Sequence, residues 1–141
     1  ASVAHLPIPS TYVAQIESAF ARPAALSDDE MERRLVSIIK HRQARREYFS
    51  DDLFADPAWD ILLELALAER QQRRVCISSL CIGAQVPSST ALRWIKHMTD
   101  NGWLVRKDDP LDARRKFAEL SKDSSMKMRA FLAGLEQGLS V

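Results

Sequence analysis

Glycine is scarce in this chain of 141 residues, and the four present, Gly83, Gly102, Gly134 and Gly138, do not cluster. A phosphate-cradling loop needs closely spaced glycines so that backbone amides can approach the anion, and none is available here. Histidine is equally thin. His5, His41 and His97 lie in three separate segments, and Cys76 and Cys81 are the only cysteines, so no metal-ligand spacing emerges. Ser78, Ser79, Ser88 and Ser89 carry no nucleophile motif. These absences argue against an enzyme and call for no cofactor. No apolar run approaches the roughly 20 residues of a membrane span, and the N-terminus lacks a charged, long-apolar signal pattern. No membrane partner and a cytoplasmic location are therefore expected. In that reducing compartment both thiols, set among Val75, Ile77, Leu80 and Ile82, are expected to be core residues, with a redox pair as the alternative. Repeats and low-complexity tracts are also missing, and a balance of 20 basic against 19 acidic residues predicts no partner.

What is present is a dense run of signals over residues 77–121. Ile77-Ser78-Ser79-Leu80 and Pro87-Ser88-Ser89-Thr90 each open a helix, with Ser78 and Ser88 as candidate N-caps. In the second helix Ala91, Ile95 and Met98 recur at spacings of four and three and form one apolar stripe. Ser89, Thr90, Arg93, Lys96 and His97 fall on other faces. Asn101-Gly102 closes the helix, since glycine takes the left-handed conformation most easily. Trp103, Leu104 and Val105 then read as one buried strand, and Phe117 and Leu120 anchor another. The turn formers Asp109, Pro110 and Asp112 separate them, with Arg114 and Arg115 at the tip. The order helix, turn, helix, strand, wing, strand is that of a winged helix-turn-helix, with residues 88–100 as the helix that would enter a major groove.

Charge is partitioned in the same way. Residues 1–69 hold 7 Lys/Arg against 12 Asp/Glu, residues 70–116 hold 10 against 4, and residues 117–141 balance at 3 and 3. Positive charge concentrated on a reading helix and wing fits a phosphate-facing surface, because neutralising phosphates releases counterions and supplies affinity. The acidic N-terminal part should face away.

Thr90-Ala-Leu-Arg93, Gly102-Trp-Leu-Val-Arg106 and Asp109-Pro-Leu-Asp-Ala-Arg114-Arg-Lys-Phe-Ala-Glu-Leu120-Ser resemble the recognition helix, first wing strand and wing of MarR-type bacterial transcription regulators. The resemblance runs over roughly residues 56–121. It implies that Ser89, Thr90 and Arg93 lie at the base-reading and phosphate-contacting end of the recognition helix, and that Arg114 is the arginine such wings insert into a minor groove. Ala113, Leu92 and Trp94 depart from the family pattern, where glycine or a basic residue, a polar residue and a smaller residue respectively are usual. The resemblance also implies dimerisation through terminal helices, and small aromatic or phenolic effectors bound between those helices and the DNA domain.

The flanking segments fit that organisation. Ser27-Asp-Asp-Glu30 has capping-box spacing, and Met31, Leu35, Ile38, Ile39 and Phe49 follow at helical intervals over about twenty residues. The other face, Glu32, Arg33, Arg34, Lys40, Arg42, Arg45 and Arg46, reads as solvated with some ion pairing, direct DNA contact by residues 40–46 being the lesser alternative. Asp56 and Pro57 start a helix, as N-cap and first-turn proline, that is apolar nearly all round through Trp59, Leu62, Leu63, Leu65, Ala66 and Leu67. Ser121 caps a last helix expected to run to about residue 139, with Met128, Phe131, Leu132 and Leu135 as its stripe. Two long amphipathic helices beside so small a domain expose more apolar surface than it needs, and a helical homodimer interface accounts for the excess. Residues 1–26 read as an arm with a possible short helix at Thr11–Phe20, either packed on a partner subunit or a tether from a longer chain.

The expected organisation is thus mainly α with a small β-hairpin wing (α+β): an N-terminal arm (1–26), a helical dimerisation extension (27–55), a winged helix-turn-helix domain (56–121) and a C-terminal helix (122–141). The expected partner is double-stranded DNA, met by a homodimer through Ser88, Ser89, Thr90, Arg93, Lys96, His97, Arg106, Lys107, Arg114 and Arg115. The alternative is a winged helix that docks on a partner regulator or polymerase, its basic wing meeting an acidic protein surface. An effector, if one exists, has Trp59, Tyr48 and Phe49 as candidate cavity residues, although hydrophobic packing accounts for all three equally well.

Overall fold

The computed structural model describes residues 26–49 and 55–135. The expected helix Thr11–Phe20 lies outside them, as does the stretch from residue 136 onward. Within them the chain runs α1 (Asp28–Tyr48), α2 (Pro57–Arg70), β1 (Val75–Cys76), α3 (Ile77–Gly83), α4 (Ser88–Asp100), β2 (Leu104–Asp109), β3 (Asp112–Leu120) and α5 (Lys122–Ala133). This is a winged helix-turn-helix with a helix on either flank. No helix among the described residues is long and apolar enough to cross a membrane.

Helix α2 is the hub. Ile61, Leu63, Leu65, Ala66 and Ala68 are buried, and the helix packs against α1, α3, α4 and β3, as its all-round apolar sequence requires. Its start is as read: the Asp56 side chain accepts from the Trp59 amide at 3.3 Å, with Pro57 in the first turn. Ser27 Oγ accepts from the Glu30 amide at 3.2 Å to start α1, and Ser121 Oγ from the Ser124 amide at 3.1 Å to start α5.

Two other expected caps are corrected. The residue before α3 is Cys76, which gives no side-chain cap, and Ser78 lies inside the first turn. The cause is β1, which sequence did not reveal: Val75 and Cys76 pair with Ala118 and Phe117, so the chain leaves a strand and enters the helix with no residue between. Helix α4 likewise starts after Pro87, whose φ of −53° and ψ of 144° place it at the non-helical cap, and Ser88 is its first helical residue. The tight turn between α3 and α4 puts Gln85 at φ 57°, so the left-handed residue there is not the nearby Gly83.

The strand order is β1-β3-β2, all antiparallel, with β3 central. The expectation that Trp103, Leu104 and Val105 are all buried fails. Trp103 precedes β2 and is 42% exposed, Val105 is 36% exposed, and only Leu104 is in the core. An edge strand with one face on the domain alternates in and out, so a run of three apolar residues cannot all point inward.

Helix α1 buries Met31, Leu35 and Ile38 as expected, whereas Phe49 ends it on the surface, 56% exposed. Its basic face is not solvated throughout. Arg42 Nε and Arg46 Nη2 each donate to one carboxylate oxygen of Asp60 at 2.7 Å, and all three side chains are about nine-tenths buried. Arg34 Nη1 donates to the Leu132 carbonyl at 2.6 Å, tying α1 to the last turn of α5. Helix α5 ends at Ala133 with Gly134 as its cap, short of residue 139; Met128 and Leu132 are buried, whereas Phe131 stays partly exposed and meets the Trp59 ring edge-on at 5.1 Å.

One carboxylate between two guanidiniums sets a clear expectation. Asp60→Asn keeps the size of the side chain but removes the negative charge on which the sequestered Arg42 and Arg46 converge, and should lower the unfolding free energy by about 3–5 kcal/mol. Urea denaturation of both proteins measures it; a loss under about 1 kcal/mol would mean that water reaches both guanidiniums freely.

Candidate nucleic-acid interface

Helix α4 buries Ala91, Ile95 and Met98 against α2 and α3, and that contact turns its other side outward. Ser88, Ser89, Arg93, Lys96 and His97 are all exposed, and Thr90 is half-buried. Arg93 belongs to none of the ion pairs among the described residues. Lys96 Nζ lies 2.8 Å from Asp100 one turn later, and that hydrogen bond, with the lysine charge, pulls the Asp100 carboxyl below its usual range. His97 stands edge-on to Trp94 at 5.9 Å, near the C-terminal end.

The helix ends in a Schellman arrangement: Gly102, at φ 80°, donates to the Thr99 carbonyl at 3.1 Å and Trp103 to the Met98 carbonyl at 2.9 Å. The Trp103 carbonyl then accepts twice, from the Ser121 amide at 3.1 Å and from Ser124 Oγ at 2.7 Å. Ser124 is the buried polar residue of the described core. The backbone of one residue thus joins the end of α4, the foot of the wing and the first turn of α5, and it fixes the wing relative to the helix.

Strand register sorts the wing's cations. Arg106 pairs with Ala118 and Lys107 with Phe117, so β2 and β3 present Leu104, Arg106, Asp108, Lys116 and Arg114 on one face and Val105, Lys107, Asp109, Arg115 and Phe117 on the other. The first face is continuous with α4. Arg106 lies close enough to both Asp100 and Asp108 to help hold each carboxyl below its usual range, and Lys116 Nζ donates to Asp108 at 2.7 Å, the larger influence there. A ladder of alternating charge, Lys96, Asp100, Arg106, Asp108, Lys116, therefore connects the outward side of α4 to the wing. Arg114 stands beyond it with 93% of its side chain exposed and its Nε 3.4 Å from Asp112. At the tip the Asp109 side chain accepts from the Leu111 amide at 2.8 Å, closing the turn at Pro110 and Leu111.

The other face is occupied by its own contacts. Arg115 donates to Cys76 Sγ at 3.2 Å, an interaction that raises its pKa, and its guanidinium lies 5.4 Å from the centre of the Phe117 ring; Arg74 covers the same ring at 5.4 Å. Lys107 faces Glu119 at 3.6 Å. The two tip arginines expected to act together are thus separated by strand alternation. Lys107 and Arg115 sit away from α4, whereas Lys116, absent from the sequence-based set, joins Arg106 and Arg114. Alternation counted back from buried Leu120 and Ala118 would have assigned Lys116 and Arg114 to one face.

Cys81 is buried and its thiol is pushed up by desolvation, while Cys76 is half-buried against Arg115; both are free. Tyr48 is 79% exposed and Phe49 56% exposed, whereas Trp59 packs on Phe131, so among the described residues Trp59 does not share a cavity with Tyr48.

The junction at Trp103 makes a measurable claim. Ser124→Ala removes one of two bonds to the carbonyl and leaves the Ser121 amide in place, so the loss should be about 1 kcal/mol in unfolding free energy rather than the larger cost of an orphaned acceptor. Amide exchange should quicken at Ser121 and Ser125 before it does in α2; unchanged stability and exchange would remove Ser124 from the junction.

No protein-family model matches the sequence, and no curated protein matches it. Among solved structures, the transcriptional regulator Tm0710 from Thermotoga maritima is similar over 72% of this chain and 68% of its own, with 17% identity and a TM-score of 0.45. Apo, heme-free PefR is similar over 77% of this chain and 95% of its own, with 17% identity and a TM-score of 0.42.

Proposed function

We propose that this protein is a duplex-DNA-binding transcriptional regulator of the MarR type that acts as a homodimer on a roughly palindromic site. The observation that carries the reading is the continuous surface on which exposed Ser88, Ser89, Arg93 and Lys96 of α4 meet Arg106, Lys116 and Arg114 of the wing. A helix of 13 residues with one side in the core and the other polar has the dimensions a major groove admits. Arg93, exposed and outside the intramolecular ion pairs, is the residue for direct readout, since a guanidinium pairs with guanine at two atoms. Arg114, extended from the hairpin, suits the adjacent minor groove. Two subunits would set the helices about one duplex turn apart. The exposed Tyr48, Phe49, Met126 and Phe131 on and beside the flanking helices support an interface between subunits there.

Fluorescence anisotropy against random-sequence and selected duplexes over a range of salt tests the reading. Binding should weaken steeply with salt, by about 0.9 in log–log slope for each phosphate neutralised. Arg114→Ala should weaken binding to every sequence and flatten that slope. Arg115→Ala, whose side chain is already engaged by Cys76 and Phe117, should do so less. Absence of duplex binding at low salt would overturn the proposal and favour a protein surface as the target of the wing.

A further inference from the structure

We infer that Leu92 selects thymine, by packing against the 5-methyl group of one base in each half-site; the inference rests on the DNA-binding reading above and names a base that the site prefers. Leu92 is 48% exposed and stands outside the buried stripe of Ala91, Ile95 and Met98. It lies beside Arg93, with Ser88 and Ser89 a turn before it and Lys96 a turn after it, so it shares the flank of α4 that carries the candidate contact residues. A lone surface leucine is ordinary and needs no explanation. This one stands directly between Ser88 and Ser89 on one side and Lys96 on the other, on the half of the helix that would meet base edges, whereas the exposed Trp94 lies on the opposite flank against His97.

The chemistry of the groove then limits what Leu92 meets. A leucine side chain neither donates nor accepts a hydrogen bond, so it gains nothing from the N7, O6, O4, N6 or N4 positions of the base edges and would strip water from any it covered without replacing it. The one methyl group that the four bases display in the major groove is the thymine 5-methyl. A leucine over cytosine or a purine covers a polar edge and is disfavoured. Over thymine, two apolar surfaces leave water together. Arg93 beside it reads guanine by hydrogen bonds, so adjacent residues on one helix would read different bases by different physics.

The test uses the full chain and a duplex selected from a random pool, in which each thymine is replaced in turn by deoxyuridine, which lacks only the methyl. In the parent protein, one symmetry-related thymine should weaken binding about three- to fivefold when its methyl is removed, in line with burial of a single methyl group. In Leu92→Ala the same replacement should change nothing, and Leu92→Met, which keeps an apolar reach, should retain most of the penalty. Leu92 is outside the core, so both variants should melt like the parent. If deoxyuridine weakens the parent and Leu92→Ala equally at every position, or weakens neither, the leucine assignment is wrong while the DNA-binding reading stands. If the parent selects no duplex at all, both fall together.

Discussion

The backbone of Trp103 is the constraint on which the geometry of the basic surface depends. Its amide closes the last turn of α4, and its carbonyl accepts from the backbone at the end of β3 and from the buried hydroxyl of Ser124 in α5. Three elements that approach from different directions are tied within one residue. A hairpin is poorly fixed when it stands alone. This one is held at its foot by Trp103 and, at Phe117 and Ala118 of its central strand, by β1, which together set its direction relative to the helix. Gly102 makes the arrangement possible, because the left-handed backbone at φ 80° is what directs the chain from the helix end into the strand.

The ion pairs of α1 do a different job. A buried salt bridge adds little net stability over an apolar equivalent, because desolvating the charges offsets their attraction. What Arg42, Arg46 and Asp60 contribute is register: two guanidiniums a turn apart accept only one placement of the α2 carboxylate between them. Arg34, on the Leu132 carbonyl, does the same for α5 at the negative end of its helix dipole. The flanking helices are thereby aligned with the winged domain through named polar contacts, while Met31, Leu35, Ile38, Ile61, Leu63 and Leu132 supply the apolar burial that holds them together.

Local signals were legible in the sequence wherever the physics was local. Ser27, Asp56 and Ser121 cap the helices they precede, Asn101-Gly102 ends α4, and Asp109 to Asp112 turns the wing, because each depends on a few neighbouring residues. Ser78 and Ser88 were misplaced for non-local or competing reasons: β1 exists only because β3, some forty residues later, pairs with it, and Pro87 takes the cap position ahead of Ser88. The burial of Arg42 and Arg46 was invisible for the same reason, since helical periodicity on α1 says nothing of where Asp60 will stand. In the candidate site, the exposed residues of α4 follow from its 3.6-residue period. The division of the wing into Arg106, Lys116 and Arg114 against Lys107 and Arg115 needs the strand register, which composition does not carry. The extent of the basic surface was therefore readable, and its two-sidedness was not.

That two-sidedness bears on how the surface would work. Asp100 and Asp108 lie between Lys96, Arg106 and Lys116, whose charges hold both carboxyls below their usual range, so paired charges of both signs span this surface. Phosphates approaching this surface must compete with carboxylates already in place, so the lysines offer less indiscriminate attraction than their number implies, and salt screens what remains. The acids also hold the long lysine and arginine side chains in defined positions, reducing the entropy lost when those chains meet a partner. Cations restrained in this way contribute orientation more than bulk affinity. If the surface binds DNA as proposed, discrimination falls to the side chains of α4 outside the ladder, of which Arg93 is charged and outside the ion pairs among the described residues and Leu92 is apolar, while Arg114, extended beyond the ladder, adds affinity for any sequence.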